Sequence, residues 1–186
     1  TVFEKEKMLG GMLTFGIPSF RLEKDVIHAE IDVLKAMGVE FNTGVEVGKD
    51  ITLAEMRESG FKAFFIAIGA QGGRKLHLEG EDAINVGSGV DFLRQSALDH
   101  SNKIKGKAVI IGGGNVAIDV ARTAIRMGAS DATMVCLEAR DKMPALKDEV
   151  HEALEEDINI MNEYGPSRFI KEGKKVGILA TDQTKG

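Results

Sequence analysis

Cysteine is nearly absent from this chain: Cys136 stands alone in 186 residues. That excludes an internal disulfide, a Cys-x-x-Cys dithiol, and any cysteine-ligated iron–sulfur cluster built by these residues alone. A surplus of positive charge is also missing. The formal net charge is −5, which argues against a nucleic-acid-binding surface. Long apolar runs are missing too, and none approaches the length of a transmembrane helix. The opening residues Thr1 to Lys7 are charged, with no signal-peptide core behind them. Repeats and low-complexity stretches do not occur. These absences lead to the expectation of a cytoplasmic protein with no nucleic-acid partner and no membrane span. What is present is a globular composition, 43% hydrophobic and 28% charged, enough for one ordinary domain or parts of two.

The most informative segment is Lys107 to Asp119. Ala108–Ile111 is a β-branched run of the kind found in a central parallel strand. Gly112, Gly113 and Gly114 follow, and Ala117 takes the third small position of G-x-G-x-x-G/A. Gly112 lets the backbone turn off the strand. Gly114 presents no side chain to a pyrophosphate, and Ala117 lets the helix lie close on the strand. Asn115 and Val116 then offer backbone N–H groups at the positive end of that helix. Val116, Ile118, Val120, Ala121, Ala124, Ile125 and Met127 give the helix its apolar part, and Gly128 ends it. Ala132–Cys136 reads as the next strand. Strand, turn, helix and strand fit within about 30 residues, the size of a dinucleotide-binding βαβ unit.

Elsewhere, residues 8–18 are glycine-rich and apolar. Glu23–Met37 predicts a helix with a wide apolar face, closed by Gly38. Val39–Thr43 alternates like a strand. Thr52 predicts a helix cap, with Glu55 at the capping-box position. Phe61–Ile68 reads as a buried strand, Asp91–Leu98 as a helix, and Ala145–Glu156 as a charged amphipathic helix. Ile158–Met161, Arg168–Ile170 and Val176–Ala180 read as strands. The run 19–68 resembles half of an α/β sheet with no first strand and no glycine turn of its own. After the last strands, a dinucleotide domain usually brings a further strand back to the sheet. The expectation is therefore a segment of a larger protein.

Five segments together resemble a known family: Gly10–Lys24, Gly38–Gly44, Ala67–Gln71, Gly112–Ala117 and Met143–Ala145. The resemblance is to the small (β) subunit of glutamate synthase and its relatives, including the flavin arm of dihydropyrimidine dehydrogenase and ferredoxin–NADP transhydrogenase subunits. It implies an α/β, Rossmann-like FAD/NAD(P)-binding fold of the GR2 type, a parallel sheet with helices on both faces plus a small β-meander. Residues 1–100 would be part of an FAD-binding domain whose first glycine loop is absent. Residues 101–186 would be most of an inserted NAD(P)-binding domain. The same resemblance implies flavin contacts at Gly11 and Leu13 of the Gly10–Leu13 segment, at Arg21 of Phe20-Arg21-Leu22, and at the backbone of Val47. It implies an NAD(P)H-dependent flavin oxidoreductase that passes hydride to the flavin. Electrons would then leave to iron–sulfur clusters in other domains, or to a large catalytic partner subunit. Such a transfer needs no protein acid or base, so no catalytic residue is named.

Nicotinamide choice is read after the second strand, where a carboxylate favours the NAD ribose and basic residues favour the NADP phosphate. Glu138 follows Gly114 at close to the usual spacing of about 20 residues. It predicts NAD(H) in preference to NADP(H). Arg140 opposes that expectation, because it can bind a phosphate bidentately. Other groups have blander readings. Cys136 reads as an inert buried thiol. His28, His77, His100 and His151 are scattered, and His151-Glu152 lacks a second zinc ligand four residues on. The acidic residues Asp148, Glu149, Glu152, Glu155, Glu156 and Asp157 read as a solvated face. Two further readings stay open: a nucleotide-binding module that does not hold FAD by itself, and a scaffold docking a partner through helix 145–157.

Overall fold

A computed structural model describes all residues except His100, Asn102, Lys174 and Gly186. The chain divides into two compact units, Thr1–Gln71 and Gly72–Gly186.

In the first unit, β1 (Val2–Glu4) pairs in parallel with β2 (Phe41–Thr43). The sequence reading gave this half no first strand. Three residues followed by Lys5-Glu6-Lys7 are too short for a periodic signal, so β1 emerges only from its pairing. Between them lie α1 (Gly11–Phe15) and α2 (Lys24–Ala36). The apolar face of α2 buries Ile27 but leaves Val33 and Met37 exposed. The helix α3 (Leu53–Glu58) starts at the expected capping box. Glu55 N donates to Thr52 Oγ1 at 3.2 Å, and Thr52 N donates to Glu55 Oε2 at 2.8 Å. The expected strand at Phe61–Ile68 is not formed. Phe61 meets Phe3 edge-on at 5.7 Å, while Phe65 and Ile68 are 94% and 84% exposed. The composition suits a strand, but a strand needs a neighbour for its N–H and C=O groups, and among the described residues no ladder to Phe61–Ile68 forms.

The second unit begins with α4 (Gly89–Leu98), which packs on α5 (Asn115–Arg126). Its sheet is parallel, in the order β3 (Lys107–Ile111), β4 (Asp131–Val135), β5 (Asn159–Met161). Here β4 is the central strand. The apolar run of β3 resembles a central strand in composition, yet it lies at the edge among the described residues, and Val109 is half exposed. The helix α6 (Lys147–Glu155) returns the chain from β4 to β5. Ile118, Met134 and Ile158 are essentially sealed from solvent. Each contributes about 1.5–3 kcal/mol by burial, which fixes α5 against the sheet. A hairpin of β6 (Tyr164–Glu172) and β7 (Lys175–Asp182) follows, with a register shift between Pro166 and Arg168.

The acidic residues of the α6 region are not all solvated. Arg122, itself buried, pairs with Glu152 and with Glu156 at 2.7 Å, and Arg126 also holds Glu156. Burial works against the Arg122 charge, and the Glu156 and Glu152 carboxylates override it, so its pKa is raised. The arginines lie on α5, some 30 positions earlier in the chain, which explains why a local reading of the acidic face missed them.

Candidate nucleotide-binding site

The site forms where β3 gives way to α5. Ile111 continues the parallel ladder opposite Val135, and Gly112 N donates to Val135 O at 2.9 Å. The chain then turns at Gly112 with φ +133, a conformation that favours glycine. Ala117 is buried against the turn, and a methyl group placed on Gly112 would lie 3.5 Å from its Cβ. Gly113 is crowded, and a side chain there would have to displace its neighbours. A Cβ there would stand 2.9 Å from Glu138 Oε2 and 3.0 Å from Cys136 Cβ. Gly114 is the opposite case. It caps α5 in an extended conformation, and a Cβ on it would meet nothing within 4 Å.

That open space lies at the first turn of α5, where Ala117 N donates to Gly114 O at 3.0 Å and the N–H groups of Asn115 and Val116 precede the first intrahelical bond. Val116 there is half exposed. An extended Gly114, open above, at the positive end of a helix fits a pyrophosphate held by backbone N–H groups. The residues that would hold it are Gly112 to Ala117.

A second chain segment straps the loop. Ala145 N donates to Gly113 O at 3.1 Å, and Leu146 N donates to Asn115 Oδ1 at 2.9 Å. The Met143–Ala145 motif therefore ties the entry to α6 onto the glycine turn. Asn115 thus has a side-chain role that its place in the motif does not reveal.

At the end of β4, Glu138 lies half-buried beside Gly113, and Arg140 is exposed. Asn162, which the sequence reading did not select, stands between them. Its Nδ2 donates to Glu138 O at 3.0 Å and to Cys136 Sγ at 3.2 Å, and its Oδ1 accepts from Arg140 Nε at 2.9 Å. Burial first, and then the Glu138 carboxylate, push the Cys136 thiol up. It stays protonated and unreactive at neutral pH.

In the first unit, Gly11 begins α1 with φ +52, Leu13 is half exposed, and Arg21 sits in the turn after Pro18, its N bonded to Pro18 O at 3.0 Å. Val47 forms an isolated bridge with Ile51. Lys24 Nζ donates to Leu13 O at 2.8 Å and to Ile17 O, so it gathers the end of α1. Burial lowers the Lys24 pKa.

Of the histidines, His100 lies outside the described residues. His151 Nε2 sits 3.3 Å from Glu155 Oε1 on the exposed side of α6. Among the described residues, no group of three His, Cys, Asp or Glu is arranged to hold a metal ion, and no helix is long and apolar enough to cross a membrane.

A parallel sheet with a glycine turn running into a packed helix defines a Rossmann-like α/β segment of the FAD/NAD(P)-binding class. The family model of the pyridine nucleotide-disulphide oxidoreductases matches residues 23–185, and the chain belongs to that family. The chain is 38% identical over 175 residues to the NADP(+)-dependent formate dehydrogenase subunit beta of Moorella thermoacetica, covering 92% of this chain and 25% of that protein. It is 35% identical over 187 residues to the small chain of NADPH glutamate synthase of Halomonas elongata, covering 95% of this chain and 39% of that one. The resemblance to the glutamate synthase small chain is thus present at the level of whole-segment identity. The chain accordingly spans about a quarter to two-fifths of the length of these relatives. In fold it is similar to FprA of Mycobacterium tuberculosis in complex with NADPH, with a TM-score of 0.72, 17% identity, and 96% and 59% of the two chains covered. Both of the relatives matched by sequence identity are named with NADP(+) or NADPH, which weighs against the preference for NADH expected from Glu138.

Proposed function

We propose that this chain is the nicotinamide-nucleotide-binding segment of an FAD-dependent oxidoreductase. One observation carries the reading: Gly114 is extended and open above, at the N-terminus of α5, directly after a left-handed turn at Gly112. The Gly112–Ala117 turn holds the nucleotide pyrophosphate on the N–H groups of Asn115 and Val116. Glu138 reads the adenosine ribose hydroxyls, which favours NADH. Residues 101–186 form the nicotinamide-nucleotide part, and residues 1–100 belong to the flavin part, with Gly11, Leu13, Arg21 and Val47 along the flavin. When both cofactors are bound, the nicotinamide supplies a hydride that the flavin accepts. This chain's residues hold the cofactors and supply no acid or base. The electrons pass on to iron–sulfur clusters or a large partner subunit.

A second reading, NADPH in preference to NADH, is favoured by the names of the similar proteins and by Arg140 beside Glu138. Parallel titrations of the intact protein with NADH and NADPH separate the two. Tighter NADH binding that is lost in Glu138→Arg supports the carboxylate as ribose reader. Tighter NADPH binding, with NADH binding indifferent to Glu138→Arg, removes it. A flavin absorption spectrum in the purified protein supports the flavoenzyme reading, and a colourless preparation supports a module that does not hold FAD.

A further inference from the structure

Asn162 follows β5, in neither the glycine turn nor the strand end where nucleotide choice is usually read. Its carboxamide nevertheless touches three groups at that place. Nδ2 carries two hydrogens, and two acceptors lie against it, Glu138 O at 3.0 Å and Cys136 Sγ at 3.2 Å. A flipped amide would set Oδ1 against the Glu138 carbonyl, acceptor to acceptor. The orientation is therefore fixed from the buried side, and Oδ1 must face outward. There it accepts from Arg140 Nε at 2.9 Å. An arginine bound through Nε keeps its two terminal nitrogens for another partner, and that pair suits a phosphate.

We propose that Asn162 is a specificity-determining positioning residue: it fixes Arg140 beside Glu138 so that the site accepts a nucleotide bearing a 2′-phosphate as well as one bearing free ribose hydroxyls. The proposal rests on the nucleotide-binding reading above. It also explains how an acidic strand end can stand in a chain similar to proteins named for NADP(H). Glu138 serves the hydroxyls, and Arg140, held by its Nε, serves the phosphate. Without Asn162 the long arginine side chain is released to solvent, and ordering it again on binding costs rotamer entropy.

The test is titration of the intact protein and of Asn162→Leu, Arg140→Lys and the double variant with NADPH and with NADH. The expected result is a fall in the NADPH-to-NADH affinity ratio on the order of tenfold in each single variant, with no further fall in the double variant. Asn162→Leu that weakens both nucleotides alike, or neither, overturns the proposal, because a merely structural role leaves the ratio unmoved. Nuclear magnetic resonance of the Arg140 Nε–H gives a readout without nucleotide. The signal, assigned by its loss in Arg140→Lys, should exchange slowly in the native protein and rapidly in Asn162→Leu. Equal exchange in the two proteins overturns the positioning role. Native protein that binds neither nucleotide defeats the underlying nucleotide-binding reading instead, which is a different result from a ratio that does not move.

Discussion

Gly112 and Gly114 stand two residues apart in one turn, yet the structure assigns them separable consequences. At Gly112, φ is +133 and a Cβ meets only Ala117 at an ordinary 3.5 Å, so the cost of Gly112→Ala is backbone strain. Strain of that kind amounts to about 1–3 kcal/mol. At Gly114, φ is −94 and the space above is open, so alanine enters without a clash. Two small effects then oppose each other there. Alanine restricts the unfolded chain, a gain of about 0.4–1 kcal/mol. It is also a poorer helix cap than glycine, a loss of similar size. The stability of Gly114→Ala should therefore stay within about 0.5 kcal/mol of the parent. Its methyl group, however, stands where the pyrophosphate must approach the backbone, so nucleotide affinity should fall by at least about tenfold. Urea unfolding followed by circular dichroism, paired with nucleotide titration, reads both quantities. Gly114→Ala that binds nucleotide as well as the parent, or Gly112→Ala as stable as the parent, would refute these roles.

Two further perturbations probe what holds the site in place. Ile118 is fully buried on α5, so Ile118→Ala should cost about 2–5 kcal/mol, measured as a lowered urea midpoint. A loss below about 1 kcal/mol would mean that the packing of α5 on the sheet is looser than its burial indicates. Glu156 ties α6 to α5. The hydrogen bond from Arg126 lowers its carboxyl below the usual range, burial opposes this, and Arg122 adds to the lowering. As pH falls, the unfolded chain takes up this proton first, so the stabilisation is present above the ordinary carboxylate range and is lost as pH drops through the folded value. Glu156→Gln should lower stability at neutral pH by roughly 1–3 kcal/mol and flatten the acid limb of the stability profile. An unchanged acid limb would refute the assignment.

Features specified within one or two turns of chain were legible in the sequence. The capping box at Thr52 and Glu55 is a local exchange of hydrogen bonds, and it forms as expected. The helix from Asn115 to Arg126 follows from its apolar spacing and from Gly128. Features that depend on distant neighbours were not legible. Phe61–Ile68 has a strand's composition and no strand's partner. Glu152 and Glu156 read as solvated until α6 is laid against Arg122 and Arg126. Asn162 is the clearest case at the candidate site. Nothing in Met161-Asn162-Glu163 distinguishes it, and its role arises because β5 lies beside β4, which brings it to Cys136, Glu138 and Arg140. The glycine turn itself was visible because each of its steric demands is written in residue types next to one another. The strap from Ala145 and Leu146 was visible only as a motif without a mechanism.

A crystal structure of the intact protein grown with NADH shows directly whether the glycine turn holds the nucleotide. Pyrophosphate oxygens are expected over Gly114, about 2.7–3.2 Å from the backbone N–H groups of Asn115 and Val116, with the adenosine ribose toward Glu138. A nucleotide bound elsewhere, with the space above Gly114 left to solvent, would contradict it.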